Sequence, residues 1–202
     1  FSTRPEAESA FYSSIFSFAG SISDYQQDIN HISQSSAPVM VTGEDGTGKE
    51  SIVSVLYMRG PLRNGPLVSI SCSLLNEKSW SFLLEHHNSP LADQDNLIGN
   101  GCVPAKPGHF LLCLQAGEYI SAVGSLFMDK LQCLSLYLPP LRQMAERIPA
   151  LVNLSLSHLN ADLPQRMVGA EPEAISLLQN FQWPHNYTQF RRVIRELAIT
   201  ST

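Results

Sequence analysis

The sequence is short of the features that mark a membrane protein, a disulfide scaffold or a general nucleic-acid binder. No apolar run approaches the roughly 18 residues that a membrane span requires. Cysteine is scarce: Cys72, Cys102, Cys113 and Cys133 show no CxxC spacing, and three of them sit in apolar runs. Such residues read as reduced, buried thiols of a cytoplasmic protein, not as metal ligands or a disulfide framework. Positive charge is not in excess, since 13 Lys and Arg face 18 Asp and Glu, for a net −5. No general basic face therefore advertises nucleic acid, and a DNA partner would have to be reached through a domain not present here. Internal repeats, low-complexity tracts and a signal peptide are also missing, and a start at Phe1 with no Met is expected of a fragment. What is present is a chain of 202 residues, 44% hydrophobic. That suits one large domain, or one domain with a small appendage, around a core of ordinary size.

Periodicity divides the chain. After a polar, Ser-rich lead, Ile22, Tyr25, Ile29 and Ile32 recur at three- and four-residue steps, one face of a helix. The runs 38–42 (PVMVT), 66–72 (PLVSISC), 110–115 (FLLCLQ) and 134–138 are short, apolar and bounded by turn residues, as buried strands are. Lys49 to Arg59 and Glu77 to His87 read as helices. From Arg142 onward helical patterns take over, in blocks separated by Pro164, Pro172 and Pro184. The expectation is an α/β fold with a parallel sheet, followed by a small all-helical lid. The expected boundaries are a lead and helix over 1–36, an α/β subdomain over 37–138 and the lid over 139–202.

The chemistry-bearing segment is Gly43-Glu44-Asp45-Gly46-Thr47-Gly48-Lys49-Glu50, set between a strand and an amphipathic helix. Glycines let a backbone turn tightly and aim successive N–H groups inward as an anion nest, to which the following helix adds its positive dipole end. Lys49 would reach terminal phosphate oxygens as a point charge. This is the Walker A arrangement, and its ligand would be ATP or ADP. The Ser or Thr that follows the lysine in a Walker A and holds magnesium is replaced by Glu50, and Thr47 lies on the wrong side of Lys49 for that role. Magnesium thus has no assigned ligand. Adjacent His86 and His87 would face opposite ways on a helix, which argues against joint metal ligation.

The phrase G-E-D-G-T-G-K-E resembles the Walker A of sigma-54-dependent transcription activators, bacterial AAA+ proteins in which glutamate after the lysine is usual. The resemblance continues. Pro66 to Leu75 is similar to the family's second strand, with Ser71 at an Asn position and Cys72 retained. L-P-P-L-R (Leu138 to Arg142), with Arg147, Ile148 and Pro149, resembles the entry to the helical lid, and Phe181 to Leu197 resembles the sensor II region. The resemblance implies an AAA+ fold, ATP bound between protomers of a dimer or ring, and remodelling of sigma-54 RNA polymerase.

The departures bear on function. The GAFTGA loop through which the family touches sigma-54 has no counterpart in Leu83 to Asn96. Ala92 to Ile98 resembles the run-in to the Walker B strand, yet Gly99, Asn100 and Gly101 follow where an Asp-Glu pair is expected, as if residues were missing after Ile98. Gly124 to Lys130 (GSLFMDK) mimics a Walker B strand ending in Asp129, but its distance from Leu138 matches the arginine-finger segment, with Gly124 and Lys130 at the finger positions. Lysine lacks the planar fork that spreads over a phosphoryl group. At sensor II, Thr188 stands where the resemblance implies a phosphate-contacting arginine. Arg191 and Arg192, on the same helical face, are substitutes or simply a solvated basic pair. Gln115 is the one amide at the end of the sensor I strand. Three functions stay open on these residues: a nucleotide-binding regulatory module with weak or no hydrolysis, a working ATPase that remodels polymerase, and an oligomerisation remnant with an empty site.

Overall fold

The computed structural model describes residues 23–65, 67–86, 111–117, 122–161 and 166–200. The expectations for the N-terminal lead, for His87 and Cys102, for the Walker B run-in and for most of Leu83 to Asn96 lie outside these residues. In chain order the elements are α1 (Ser23–Ser33), β1 (Val39–Gly43), α2 (Lys49–Arg59), β2 (Leu67–Ser71), α3 (Glu77–His86), β3 (Leu111–Ala116), α4 (Ala122–Leu131), β4 (Leu134–Leu138), a 3-10 stretch (Leu141–Arg147), α5 (Ile148–Leu159), α6 (Pro172–Asn180) and α7 (Asn186–Thr200). They group into two compact units: residues 43–52 with 138–200, and the remaining described residues, 23–42 with 53–137.

The sheet order is β2-β3-β1-β4. Strand β3 runs parallel to both neighbours, with Val39 opposite Cys113 and Thr42 opposite Ala116 on one side. On the other side Leu67 faces Leu111 and Ser71 faces Gln115. Every residue of β1 is buried, which is why VMVT shows no polar alternation: a parallel strand covered on both faces needs apolar residues throughout. Met40, Trp80 and Ala116 form a core cluster against which Ile70, Leu75, Met128 and Leu131 pack. The face foreseen for α1 is buried at Ile29 and Ile32. Cys72 and Cys133 pack against the same cluster, and neither is in a disulfide. Burial pushes the Cys133 thiol up to about 11, so it stays protonated at neutral pH.

The segment Gly124 to Lys130 is helical, as part of α4. Its resemblance to a Walker B strand therefore has no structural counterpart, and Asp129 is an exposed helix residue. Helix α4 ends in a left-handed cap. Gln132 has φ 51°, Gln132 N–H donates to Asp129 O at 3.3 Å, and Cys133 N–H donates to Met128 O at 3.0 Å. That pair of bonds is a Schellman arrangement, in which the chain reverses directly into the next element, here β4.

In the other unit, Pro172 opens α6 instead of interrupting a helix, because a proline at the first turn gives up an N–H that would be unpaired anyway. Helix α7 buries Tyr187, Phe190, Ile194 and Ala198, a stripe at three- and four-residue spacing that packs against α5. Trp183 is buried and meets Phe181 and Phe190 edge-on, with ring centroids 4.9 and 5.2 Å away. Its indole N–H is satisfied by Leu178 O at 2.8 Å.

Candidate functional site

The chain leaves β1 into the glycine loop with Gly46 at φ 78° and Gly48 at φ 89°, conformations that cost L side chains and suit glycine. Lys49 is the first residue of α2. Its ammonium donates to Gly43 O at 2.8 Å and to Glu44 O at 2.9 Å. Asp45 Oδ1 is 3.8 Å away but fully exposed, so that ion pair is worth little. Burial lowers the Lys49 pKa, and the Asp45 carboxylate pushes back. Thr47 is buried, and its hydroxyl donates to Glu44 O at 2.8 Å.

The loop is held from the far end of the chain as well. Asn186, fully buried, donates through Nδ2 to Asp45 O at 2.9 Å and accepts from Leu141 N–H at 2.8 Å through Oδ1. The next residue, Tyr187, donates its N–H to Gly46 O at 3.0 Å. Carbonyls of four successive loop residues, Gly43 to Gly46, thus each accept a hydrogen bond. With these carbonyls occupied, an anion nest would be made by peptide N–H groups of the same loop. Arg142 grips the Glu44 carboxylate with both terminal nitrogens, Nη1 reaching Oε2 at 2.7 Å and Nη2 pairing with Oε1. The Arg142 hydrogen bond is the main reason the Glu44 carboxyl lies below the usual carboxylate range. Burial opposes the shift, and the Asn186 amide assists it.

Residues foreseen as site members fall into four groups. Gly43 to Lys49 form the loop, and Thr188 lies beside it: a Cβ added at Gly46 would come within 3.2 Å of Thr188 Oγ1. Glu50 is an exposed residue in the first turn of α2. Arg192 pairs with Glu196 at 3.3 Å on the exposed side of α7, while Arg191 is half-buried. Lys130 is exposed near the end of α4 in the other unit. No cluster of three or more His, Cys, Asp or Glu among the described residues could hold a metal ion. Thr47, with its hydroxyl spent on Glu44 O, does not fit as a magnesium ligand. The carboxyl ends of β1, β2 and β3 carry Thr42, Ser71 and Gln115, and no carboxylate among the described residues of those strands. Glu118, two residues past β3, lies outside the described residues.

Sequence reasoning picked out Glu44, Arg142 and Asn186 only as members of separate motifs. What it missed is that they meet across 98 and 142 residues of chain. The available signal was a buried-looking Asn between Trp183 and Tyr187, in a stretch otherwise needed for core.

A parallel sheet with a glycine loop at the end of β1 and helices around it has the architecture of an AAA+ P-loop fold. The family model for the Sigma-54 interaction domain matches residues 15–87. The chain is 22% identical over 219 residues to the Nif-specific regulatory protein of Herbaspirillum seropedicae, covering 84% of this chain and 40% of that protein. It is 27% identical over 206 residues to the DNA-binding transcriptional regulator NtrC of Azospirillum brasilense, covering 79% and 42%. With the regulatory protein AtoC of Escherichia coli the identity is 24% over 224 residues, covering 89% and 49%. Crystal structures of NtrX from Brucella abortus in complex with ADP and with ATP superpose with TM-scores of 0.66 at 17% identity, over 88% of this chain and about half of that one. The chain is thus similar to sigma-54-dependent regulators along most of its length, and it spans somewhat under half the length of these curated relatives. Among the described residues, no helix is long and apolar enough to cross a membrane.

Proposed function

We propose that this domain binds ATP or ADP at Gly43 to Glu50, as the regulatory nucleotide-binding module of a bacterial transcription regulator, and that it hydrolyses nucleotide slowly or not at all. The observation that carries the proposal is the polarity of the loop. Its carbonyls at Gly43, Glu44, Asp45 and Gly46 are all occupied by donors, while Lys49 stands at the head of α2. Lys49 and the loop amides would hold the β- and γ-phosphates, with the N-terminus of α2 adding its dipole. That NtrX was crystallised with ADP and with ATP supports the choice of ligand.

Slow turnover follows from what stands at the remaining positions. Lys130 and Gly124 occupy the places of the arginine fingers, and a finger is worth roughly a factor of 10³ or more in phosphoryl transfer. Thr188 beside Gly46 offers a hydroxyl where a guanidinium would neutralise charge; Arg191 is the nearer of the two basic substitutes to the core. The module acts in the cytoplasm as a dimer or ring, and DNA is reached through other domains. Contact with sigma-54 does not run through the family's usual loop.

Calorimetry with ATP and ADP tests the binding. Lys49→Ala should weaken it by roughly 1.5–3 kcal/mol, as for a charged hydrogen bond; millimolar or absent binding by the native chain would favour an empty oligomerisation remnant. Turnover measured across protein concentrations tests the rest, and a rate of about 1 s⁻¹ or more, within the ordinary enzyme range, would restore the active-ATPase alternative.

A further inference from the structure

We propose that Glu44, Arg142 and Asn186 are positioning residues that fasten the phosphate loop to the C-terminal helices, so that occupation of the loop is reported to those helices. The proposal deepens the nucleotide-binding assignment and, for its second half, rests on it.

The geometry is that of a latch with two holds that share the Glu44 carboxylate. Arg142 follows the Pro139-Pro140 pair at the start of the helical segment, and its fork engages both oxygens of Glu44. A planar guanidinium gripping a carboxylate bidentately fixes orientation as well as distance. Glu44 is largely shielded, with its side chain 18% exposed, against 35% for Arg142. Asn186 opens α7 at φ 47°, a conformation asparagine tolerates better than most residues. Its single side chain bridges Leu141 N–H, Asp45 O and, at 3.3 Å, Glu44 Oε2. One buried amide thus ties the start of the 3-10 stretch, the start of α7 and the phosphate loop together.

The same loop residue is held from inside. Glu44 O accepts from both Lys49 Nζ and Thr47 Oγ1. A phosphate taken by Lys49 competes for the ammonium that now caps Gly43 O and Glu44 O. Release of those carbonyls changes the setting of the Glu44 backbone, and its carboxylate transmits the change to Arg142 and Asn186. A ligand shifts an equilibrium only through differential contacts with the two states, and here the differential contact is the redirected Lys49 ammonium.

Hydrogen exchange read by mass spectrometry on the native chain, Arg142→Lys and Glu44→Gln tests the proposal. Arg142→Lys keeps the charge and loses the fork, and Glu44→Gln keeps the shape and loses the charge. Without nucleotide, both variants should raise exchange in residues 43–48 and 183–190 together, with α2 beyond Ile52 unchanged. Loosening of only one segment, or of neither, would overturn the latch. With ATP, the native chain should change exchange at 183–200, and Arg142→Lys should lose that response while calorimetry still detects ATP. Coupling of this kind typically amounts to a 5- to 150-fold change in affinity, so Arg142→Ala should weaken ATP binding on the order of tenfold, with lysine at 142 restoring part. ATP binding by the native chain with no response at 183–200 would overturn the reporting role. Failure of the native chain to take ATP would remove the nucleotide assignment and with it the reporting role, leaving the nucleotide-free exchange to decide the latch.

Discussion

Replacing Gly46 by alanine should detach the glycine loop from the turn that precedes α7, and the cost can be built from its parts. Gly46 sits at φ 78°, where a Cβ costs about 1–2 kcal/mol. That Cβ would also overlap the His185 carbonyl oxygen and come within 2.9 Å of the His185 carbonyl carbon. Both obstacles are backbone, so no side-chain rotation relieves them. The turn must move away, which breaks the bond from Tyr187 N–H to Gly46 O and strains the one from Asn186 Nδ2 to Asp45 O. With each bond worth a net ~0.5–1.5 kcal/mol, the substitution should destabilise the domain by about 2–5 kcal/mol. Gly169→Ala is the matched control: its Cβ would meet only Asn153 Oδ1, at 4.0 Å, and surface changes of that kind stay within about 0.5 kcal/mol. Urea denaturation of the two variants and the native chain gives the numbers. A Gly46→Ala midpoint matching that of Gly169→Ala would refute the close packing of loop on turn from which the argument starts.

Asn186→Ala should cost about 2–4 kcal/mol in the same assay, because it strands the buried Leu141 N–H, removes the partly buried bond to Asp45 O and places alanine at a positive φ; a loss under ~1 kcal/mol would mean that the amide network is not formed. Asn186→Asp should be no better than alanine, since it keeps the acceptor for Leu141 but turns a carboxylate toward Glu44. The pH dependence has a defined sign. The Glu44 pKa is lowered from 4.5, chiefly by the Arg142 hydrogen bond, so its contribution to stability is fully present above that ordinary value and is lost as pH falls through the lowered one. Denaturation midpoints between pH 6 and pH 3, compared for native and Arg142→Ala chains, should therefore converge toward the acid end, and a constant separation would count against the ion pair.

What could be seen in the sequence was local. The strand-loop-helix around Lys49 follows from a five-residue apolar run, three glycines and a helical stripe, each set by its own neighbours. The strands and helices were found for the same reason, down to β4, whose ends at Leu134 and Leu138 are marked by a cysteine turn and two prolines. The helix α4 was not recognised as one, because its Gly124-Ser125 pair and its Phe-Met-Asp run fit a strand-and-acid pattern equally well at that length. Only the left-handed cap at Gln132 shows where it stops, and no residue type announces a cap when glycine is absent. The Glu44–Arg142–Asn186 convergence was invisible in principle. A hydrogen bond between residues 98 or 142 positions apart leaves no periodic trace, and each partner has an ordinary local excuse: a loop acid, a surface arginine, a residue at a helix start.

The sheet order carries an argument of its own. Strand β3 is hydrogen-bonded in register along both edges, to β1 from Val39 to Thr42 and to β2 from Leu67 to Ser71. Neighbouring strands lie about 4.8 Å apart, and the ladder between them admits nothing else. A strand bearing a metal-binding acid therefore has no room between β2 and β3, nor between β3 and β1; the sheet could accept one only at its outer edges, beyond β2 or beyond β4. Thr42 and Ser71, near the ends of β1 and β2, are neutral, and a hydroxyl can orient water but cannot take its proton near neutral pH. The loop's hydrogen bonds depend on β1, α2 and the C-terminal helices, all of which are in place. A further acid-bearing strand would have to join at an outer edge, because the direct pairing of β2 with β3 closes the position between them.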